Sequence, residues 1–175
     1  MRVVLIAVQS LDGFITRHDR PGAGFASAAD QAHFRAALPE FDCAVMGRVT
    51  FETAHASGPA LANPVRRRVV LTRTPGRHAA SAVPGALEFT SAGPAEIIAK
   101  LRSDGCRACA LLGGGQVHRL FLAAGLVDEV WLTVEPRLFG GGTPLLAGPA
   151  DVALELRSHA LLDANTLLLK YAVRR

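Results

Sequence analysis

Three points along the chain place glycine, hydroxyl and guanidinium groups directly after short apolar runs, a combination suited to gripping phosphate. The first is Ala44-Val45-Met46-Gly47-Arg48-Val49-Thr50-Phe51-Glu52. A buried strand that breaks at Gly47 into a short helix turns backbone N–H groups and the positive helix end outward. Arg48 adds a cation there, and Thr50 a hydroxyl within the first turn. The second is Val69-Val70-Leu71-Thr72-Arg73, next to the basic cluster Arg66, Arg67 and Arg68. A Thr–Arg pair at a strand's carboxyl end can hold a phosphate through a hydroxyl and a guanidinium fork. The third is Leu111-Leu112-Gly113-Gly114-Gly115-Gln116-Val117-His118. Glycines between a strand and a helix let the backbone come close to a pyrophosphate, with helix N–H groups aimed at it. Read singly, each is equally an ordinary strand–helix corner or a solvent-facing arginine.

Other chemistries find less support. The glycine triplet is not GxGxxG and lacks the acidic residue about 20 positions on, which disfavours a Rossmann domain; a GxxxxGK[ST] loop is also absent. The six histidines, His18, His33, His55, His78, His118 and His159, form no HxH or HExxH spacing, so no metal site is expected. His118 is expected on an exposed helix face, and Trp131 in a core or interface. Cys106-Arg107-Ala108-Cys109 has CxxC spacing but no second pair; with Cys43 it is expected to supply reduced thiols. Asp30, Phe34 and Arg35 share one stretch of predicted helix, Asp30 and Phe34 on one face with Arg35 adjacent. An acid in a first turn is also favoured by the helix dipole alone.

The elements that must carry these residues follow from the pattern. Apolar runs at Val3–Val8, Cys43–Met46, Arg68–Thr72, Ala108–Leu112 and Val130–Val134 do not alternate with polar residues, as in strands covered on both faces. Helices are predicted over Ser27–Leu38, with Ser27 as cap and a stop before Pro39, over Pro94–Ser103, and over Gln116–Ala124 ending at Gly125. Leu154–Ala160 and Thr166–Val173 flank Asp163-Ala164-Asn165 and predict a closing antiparallel hairpin. Ala56–Pro64 and Gly140–Pro149 are expected to be surface loops. The 175 residues suit one domain, 1–175, with an α/β layered fold and a mostly parallel sheet. The formal charge of +4 suits anionic small molecules at least as well as DNA, and no basic tail or repeated aromatic–basic pattern points to nucleic acid. Six apolar residues after Met1-Arg2 are too few for a membrane span or a signal core, so a cytoplasmic protein is expected.

Taken together, Met46–Glu52, Leu71–Arg73, Gly113–Gln116 and Leu126-Val127-Asp128-Glu129-Val130-Trp131-Leu132-Thr133 resemble dihydrofolate reductases in order and spacing. Ser10-Leu11-Asp12-Gly13 and Pro136-Arg137-Leu138-Phe139-Gly140-Gly141-Gly142 more closely resemble the reductase half of the bacterial riboflavin-biosynthesis deaminase-reductase. The resemblance spans nearly the whole chain. It implies a three-layer sandwich with about eight mixed, mostly parallel strands, helices on both faces and a C-terminal antiparallel hairpin. It implies NADPH as cofactor, contacted by Val8, Gly47, Arg48, Thr50, Leu71, Thr72, Arg73, Gly113, Gly114, Gly115, Gln116 and Val117. Ser10, Asp30, Phe34, Arg35 and Thr133 would meet a small heterocyclic substrate, with Asp30 as the catalytic acid, Thr133 beneath it and Arg35 on a substrate phosphate. Asp12 would shape the loop beside the nicotinamide. A homodimer is implied, with neither nucleic acid nor membrane as partner. The activity expected is reduction of a riboflavin-pathway ribosylamino-pyrimidine phosphate; a dihydrofolate-reductase-type reaction and a non-catalytic NADPH sensor or scaffold are the alternatives. The chain departs from its riboflavin-pathway relatives at Gly113, where they usually carry an acid that grips the ribityl chain, and in lacking their Asp-Asp-Pro segment after the second strand.

Overall fold

The structure, a computed structural model, describes residues 1–56 and 67–174. β1 (Arg2–Ser10) buries Val3, Val4, Leu5 and Ile6 in succession rather than alternately, because both of its faces are covered. α1 (Ala28–Ala37) starts where Ser27 accepts the Asp30 N–H at 3.1 Å. It passes into a 3-10 turn, Leu38–Glu40, at Pro39. β2 (Cys43–Gly47), α2 (Arg48–Ala56), β3 (Arg67–Leu71), β4 (Leu87–Thr90), α3 (Pro94–Ser103), β5 (Ala108–Leu111), α4 (Gly115–Ala123), β6 (Glu129–Glu135), β7 (Leu154–Leu161) and β8 (Leu167–Val173) follow.

The eight strands form one sheet in the order β4-β3-β2-β5-β1-β6-β8-β7. The six from β4 to β6 run parallel, and β8 and β7 close the sheet antiparallel. α3 and α4 cover one face, adding Ile97, Leu101, Val117 and Phe121 to its core. α1 and α2 cover the other, where Phe34, Ala37 and Phe51 pack with Val4, Met46, Val70 and Trp131. The expected layered sandwich and closing hairpin are present. Among the described residues, no helix is long and apolar enough to cross a membrane.

Two elements differ from expectation. β4 and the 3-10 segment Pro75–Ser81 were not foreseen: Leu-Glu-Phe-Thr buries only Leu87, too short an apolar signal for an edge strand. Several ends also move by a residue or two: β1 runs on to Ser10, β3 starts at Arg67 and stops at Leu71, and α4 starts at Gly115. Such ends are set by sheet pairing more than by side-chain type. Ala56 closes α2, while the rest of the predicted loop 57–64, and Arg66, lie outside the described residues. Residues 140–149 are less free than a surface loop. The Leu145 N–H donates to Gly13 O at 3.0 Å and the Ala147 N–H to Gly115 O at 3.1 Å, making this stretch a strap across the sheet's carboxyl edge.

Candidate functional site

Parallel strands bring their carboxyl ends to one edge, and the β2 and β5 corners touch there. The Gly47 N–H donates to Gly113 O at 2.6 Å. A methyl on Gly47 would stand 3.2 Å from Val117 Cγ2, so a side chain there would press on Val117. β3 adds its corner next door: Gly47 pairs with Leu71, and the Thr72 N–H donates to Thr90 O at 2.9 Å. Arg73 is exposed beyond it. Arg48 is exposed too, but is ion-paired with Glu52 one turn along α2.

The glycine triplet serves protein contacts at two of its three positions. A methyl on Gly115 would fall 2.4 Å from Pro144 O of the strap. Gly113 has φ +85, and its methyl would fall 2.6 Å from His118 Nε2. Gly114 is different, since nothing would come nearer than 3.8 Å, the distance to both Ile15 Cδ1 and Thr50 Oγ1. Gly114 also caps α4 with no side-chain acceptor, leaving the first-turn N–H groups to an outside partner. The Gly113–Gly114 peptide is cis.

His118 corrects an expectation. It is 1% exposed rather than on an outer face, because Gly115, Val117, His118 and Phe121 form the buried stripe of α4. Its Nδ1 lies 2.9 Å from Leu145 O, an acceptor, so the proton sits on Nδ1. Nε2 is buried without a partner, and burial lowers the ring's pKa to about 4. The ring fills the volume that a side chain at 113 would need. The acid expected from the riboflavin-pathway relatives therefore has no room.

Beside this corner, between the sheet and the α1–α2 layer, lies a cavity of about 1040 Å3. Val8, Asp30, Phe34, Arg35, Thr50 and Thr133 all line it. Asp30 is held by the cap of α1 and is buried. Desolvation raises its pKa, the Thr133 hydroxyl opposes this by hydrogen-bonding the carboxylate, and the negative charge of Glu135 raises it further. Gly47, Arg48, Leu71, Thr72, Arg73, Gly113, Gly114, Gly115, Gln116 and Val117 make up the neighbouring edge rather than the cavity wall. Ser10 also stands apart from that wall: it is fully buried, donating to Asp12 Oδ1 at 2.6 Å and accepting the Phe14 N–H at 3.0 Å. Asp12 is a loop organiser, as its turn position suggests; its carboxylate accepts the N–H groups of Phe139 and Gly140.

Sequence reasoning missed Glu135 and Arg68. Glu135 is buried, taking the Ser27 N–H at 2.8 Å and the Thr166 hydroxyl at 3.4 Å. Arg68 lines the cavity, where the basic cluster gave no hint of which arginine would turn inward. The cysteines are free thiols, with the neighbouring Cys109 thiol and burial pushing Cys43 up and burial raising Cys106 to about 11.

A family model described as the RibD C-terminal domain matches residues 2–168. None of the curated proteins matches the chain. Among solved structures, a pyrimidine reductase-like protein from Corynebacterium diphtheriae superposes with a TM-score of 0.77 at 16% identity, covering 99% of this chain and 92% of that one. A Thermotoga maritima diaminohydroxyphosphoribosylaminopyrimidine deaminase/5-amino-6-(5-phosphoribosylamino)uracil reductase gives 0.78 at 15% identity, covering 99% of this chain but 56% of that one. Dihydrofolate reductase from Enterococcus faecalis, complexed with NADP(H), gives 0.73 at 20% identity, covering 99% and 97%. The fold is dihydrofolate-reductase-like.

Proposed function

The chain belongs to the RibD C-terminal domain family, and from that premise we propose that it is an NADPH-dependent reductase of a pyrimidine- or pterin-type heterocycle. In its most specific form the reaction is reduction of a riboflavin-pathway ribosylamino-pyrimidine phosphate. The observation that carries this reading is the contact between the Gly47 and Gly113 corners, 2.6 Å from N to O, beside a cavity walled by a buried Asp30.

The residues present fit the cofactor. Gly114 leaves open space in front of an uncapped helix end, the kind of position a pyrophosphate takes. Thr50 stands beside it, and Thr72 with Arg73 offers a hydroxyl and a cation for a 2′-phosphate. NADPH, when bound, supplies the hydride. Leu71, Gln116 and Val117 would border the dinucleotide, and Val8 its nicotinamide end. Hydride arriving at the carbon of a C=N bond leaves an electron pair on nitrogen, which must take a proton. Asp30 keeps one available because burial raises its pKa. Thr133 orients that carboxyl, Phe34 offers an apolar wall and Arg35 a cation for the substrate. The enzyme is read as a single-domain cytoplasmic homodimer joined through its sheet edges.

Two measurements test this. NADPH fluorescence on titration reads binding, and absorbance reads oxidation across a panel of pyrimidines and pterins. Tight binding with no oxidation would turn the reading into a sensor; no binding removes it. Arg73→Ala should weaken NADPH about tenfold or more while leaving NADH nearly unchanged. Equal losses for both cofactors would overturn the role of Arg73.

A further inference from the structure

The corner after β3 carries Thr72 and Arg73 out of the sheet, yet little in its own backbone fixes it. Thr72 Oγ1 accepts the Thr74 N–H at 3.3 Å, and the Arg77 N–H donates to Thr74 O at 3.1 Å. The chain then enters the 3-10 segment Pro75–Ser81, which has no side-chain cap and no buried residue. Its 7 residues exceed the usual run of about three or four, and 3-10 hydrogen bonds are poorly aligned. Such a segment keeps its place through contacts with the rest of the fold.

His78 supplies such a contact. Its ring lies flat on Phe89 of β4, the centroids 4.8 Å apart and the planes 12° from parallel. Phe89 is itself well held. It pairs with Val70 of β3, packs on the α1–α2 side of the sheet, and meets Phe51 of α2 edge-on at 5.2 Å and 88°. Phe51 follows Thr50 on that helix. One ring therefore joins the element bearing Arg48 and Thr50 to the turn bearing Thr72 and Arg73.

We propose that His78 is a positioning residue for cofactor choice: stacked on Phe89, it holds the corner so that Thr72 and Arg73 together meet the 2′-phosphate of NADPH. This rests on the cofactor reading given above. His78 touches neither the phosphate nor the substrate and takes no part in the hydride step. Without its stack the turn is loose, and binding the phosphate must first order it. NADH, which has no 2′-phosphate, does not depend on that ordering.

The test measures Kd for NADPH and NADH by fluorescence titration of the full chain, alongside the Tm of each variant. The variants are His78→Ala, His78→Phe, Arg73→Ala and the double change. His78→Ala should lower the preference for NADPH over NADH about fivefold, by weakening NADPH with NADH unchanged. His78→Phe, which keeps a flat ring, should restore the preference. With Arg73 already removed, His78→Ala should shift it by less than about twofold. Trypsin gives a reading without cofactor: cleavage between Arg73 and Thr74, mapped by mass, should run about fivefold faster in His78→Ala and return to the wild-type rate in His78→Phe. The proposal is overturned if the preference survives His78→Ala, if both cofactors weaken together, if the Arg73 and His78 losses simply add, or if the cleavage rate is unchanged. Should His78→Ala fail to fold, an undiminished preference in His78→Gln, which keeps a polar chain and loses the ring, also overturns it. A wild type without preference for NADPH sinks the cofactor reading and this proposal with it. A preference lost in Arg73→Ala but kept in His78→Ala sinks this proposal alone.

Discussion

Asp30 and Glu135 are both buried carboxylates, yet their surroundings divide their work. Glu135 accepts from the Ser27 backbone and the Thr166 hydroxyl, so it braces the start of α1 while its charge presses on Asp30. Asp30 lines the cavity beside Thr133, whose hydroxyl hydrogen-bonds it. Its raised pKa means that the folded protein holds this proton more tightly than the unfolded chain does. The stability this group contributes is complete below the ordinary value of 3.8 and is lost as pH rises through the raised one. Asp30→Asn should therefore melt higher than wild type near neutral pH, and the gain should vanish toward pH 3.8 in a pH series of thermal melts. The same variant should lose about a hundredfold in turnover with NADPH affinity unchanged; full turnover would remove Asp30 as the proton source. Local spacing placed Asp30 on one helix with Phe34 and Arg35, and the family resemblance singled it out among first-turn acids. Glu135 was not legible, since its partners lie 108 and 31 positions away.

At the scale of elements, the strands that could be read were those with both faces covered. Val3 to Ile6 and Cys43 to Met46 are unbroken apolar runs, whereas β4 has one buried residue and became visible only through its pairing with β3. The β5–α4 corner was half legible. Its glycines were plain, but two of their reasons are the His118 ring and the strap carbonyl at Pro144, neither of which spacing shows. This makes Gly113 and His118 a coupled pair. Gly113→Ala should cost about 2 kcal/mol or more, combining a side chain at positive φ with overlap against the ring. In a His118→Ala background the overlap disappears, so the two losses should fall short of additivity by about 1 kcal/mol in urea unfolding. Strict additivity would mean that the ring yields freely.

For the whole molecule, the sheet ends at β7, an open edge whose Leu154, Leu156 and Leu161 are 41%, 49% and 68% exposed. An uncovered apolar edge invites a second strand. The proposed homodimer should therefore appear in light scattering at twice the mass of one chain, and Leu156→Lys should halve it; a wild-type monomer would refute the dimer. Beyond the carboxyl end of β1, the Asp12 carboxylate takes the backbone N–H groups of Phe139 and Gly140 at 3.0 and 2.7 Å. The strap beyond them reaches Gly13 and Gly115. These two surface stretches are thereby yoked, and a chimaera that imports one from another protein must import its mate as well.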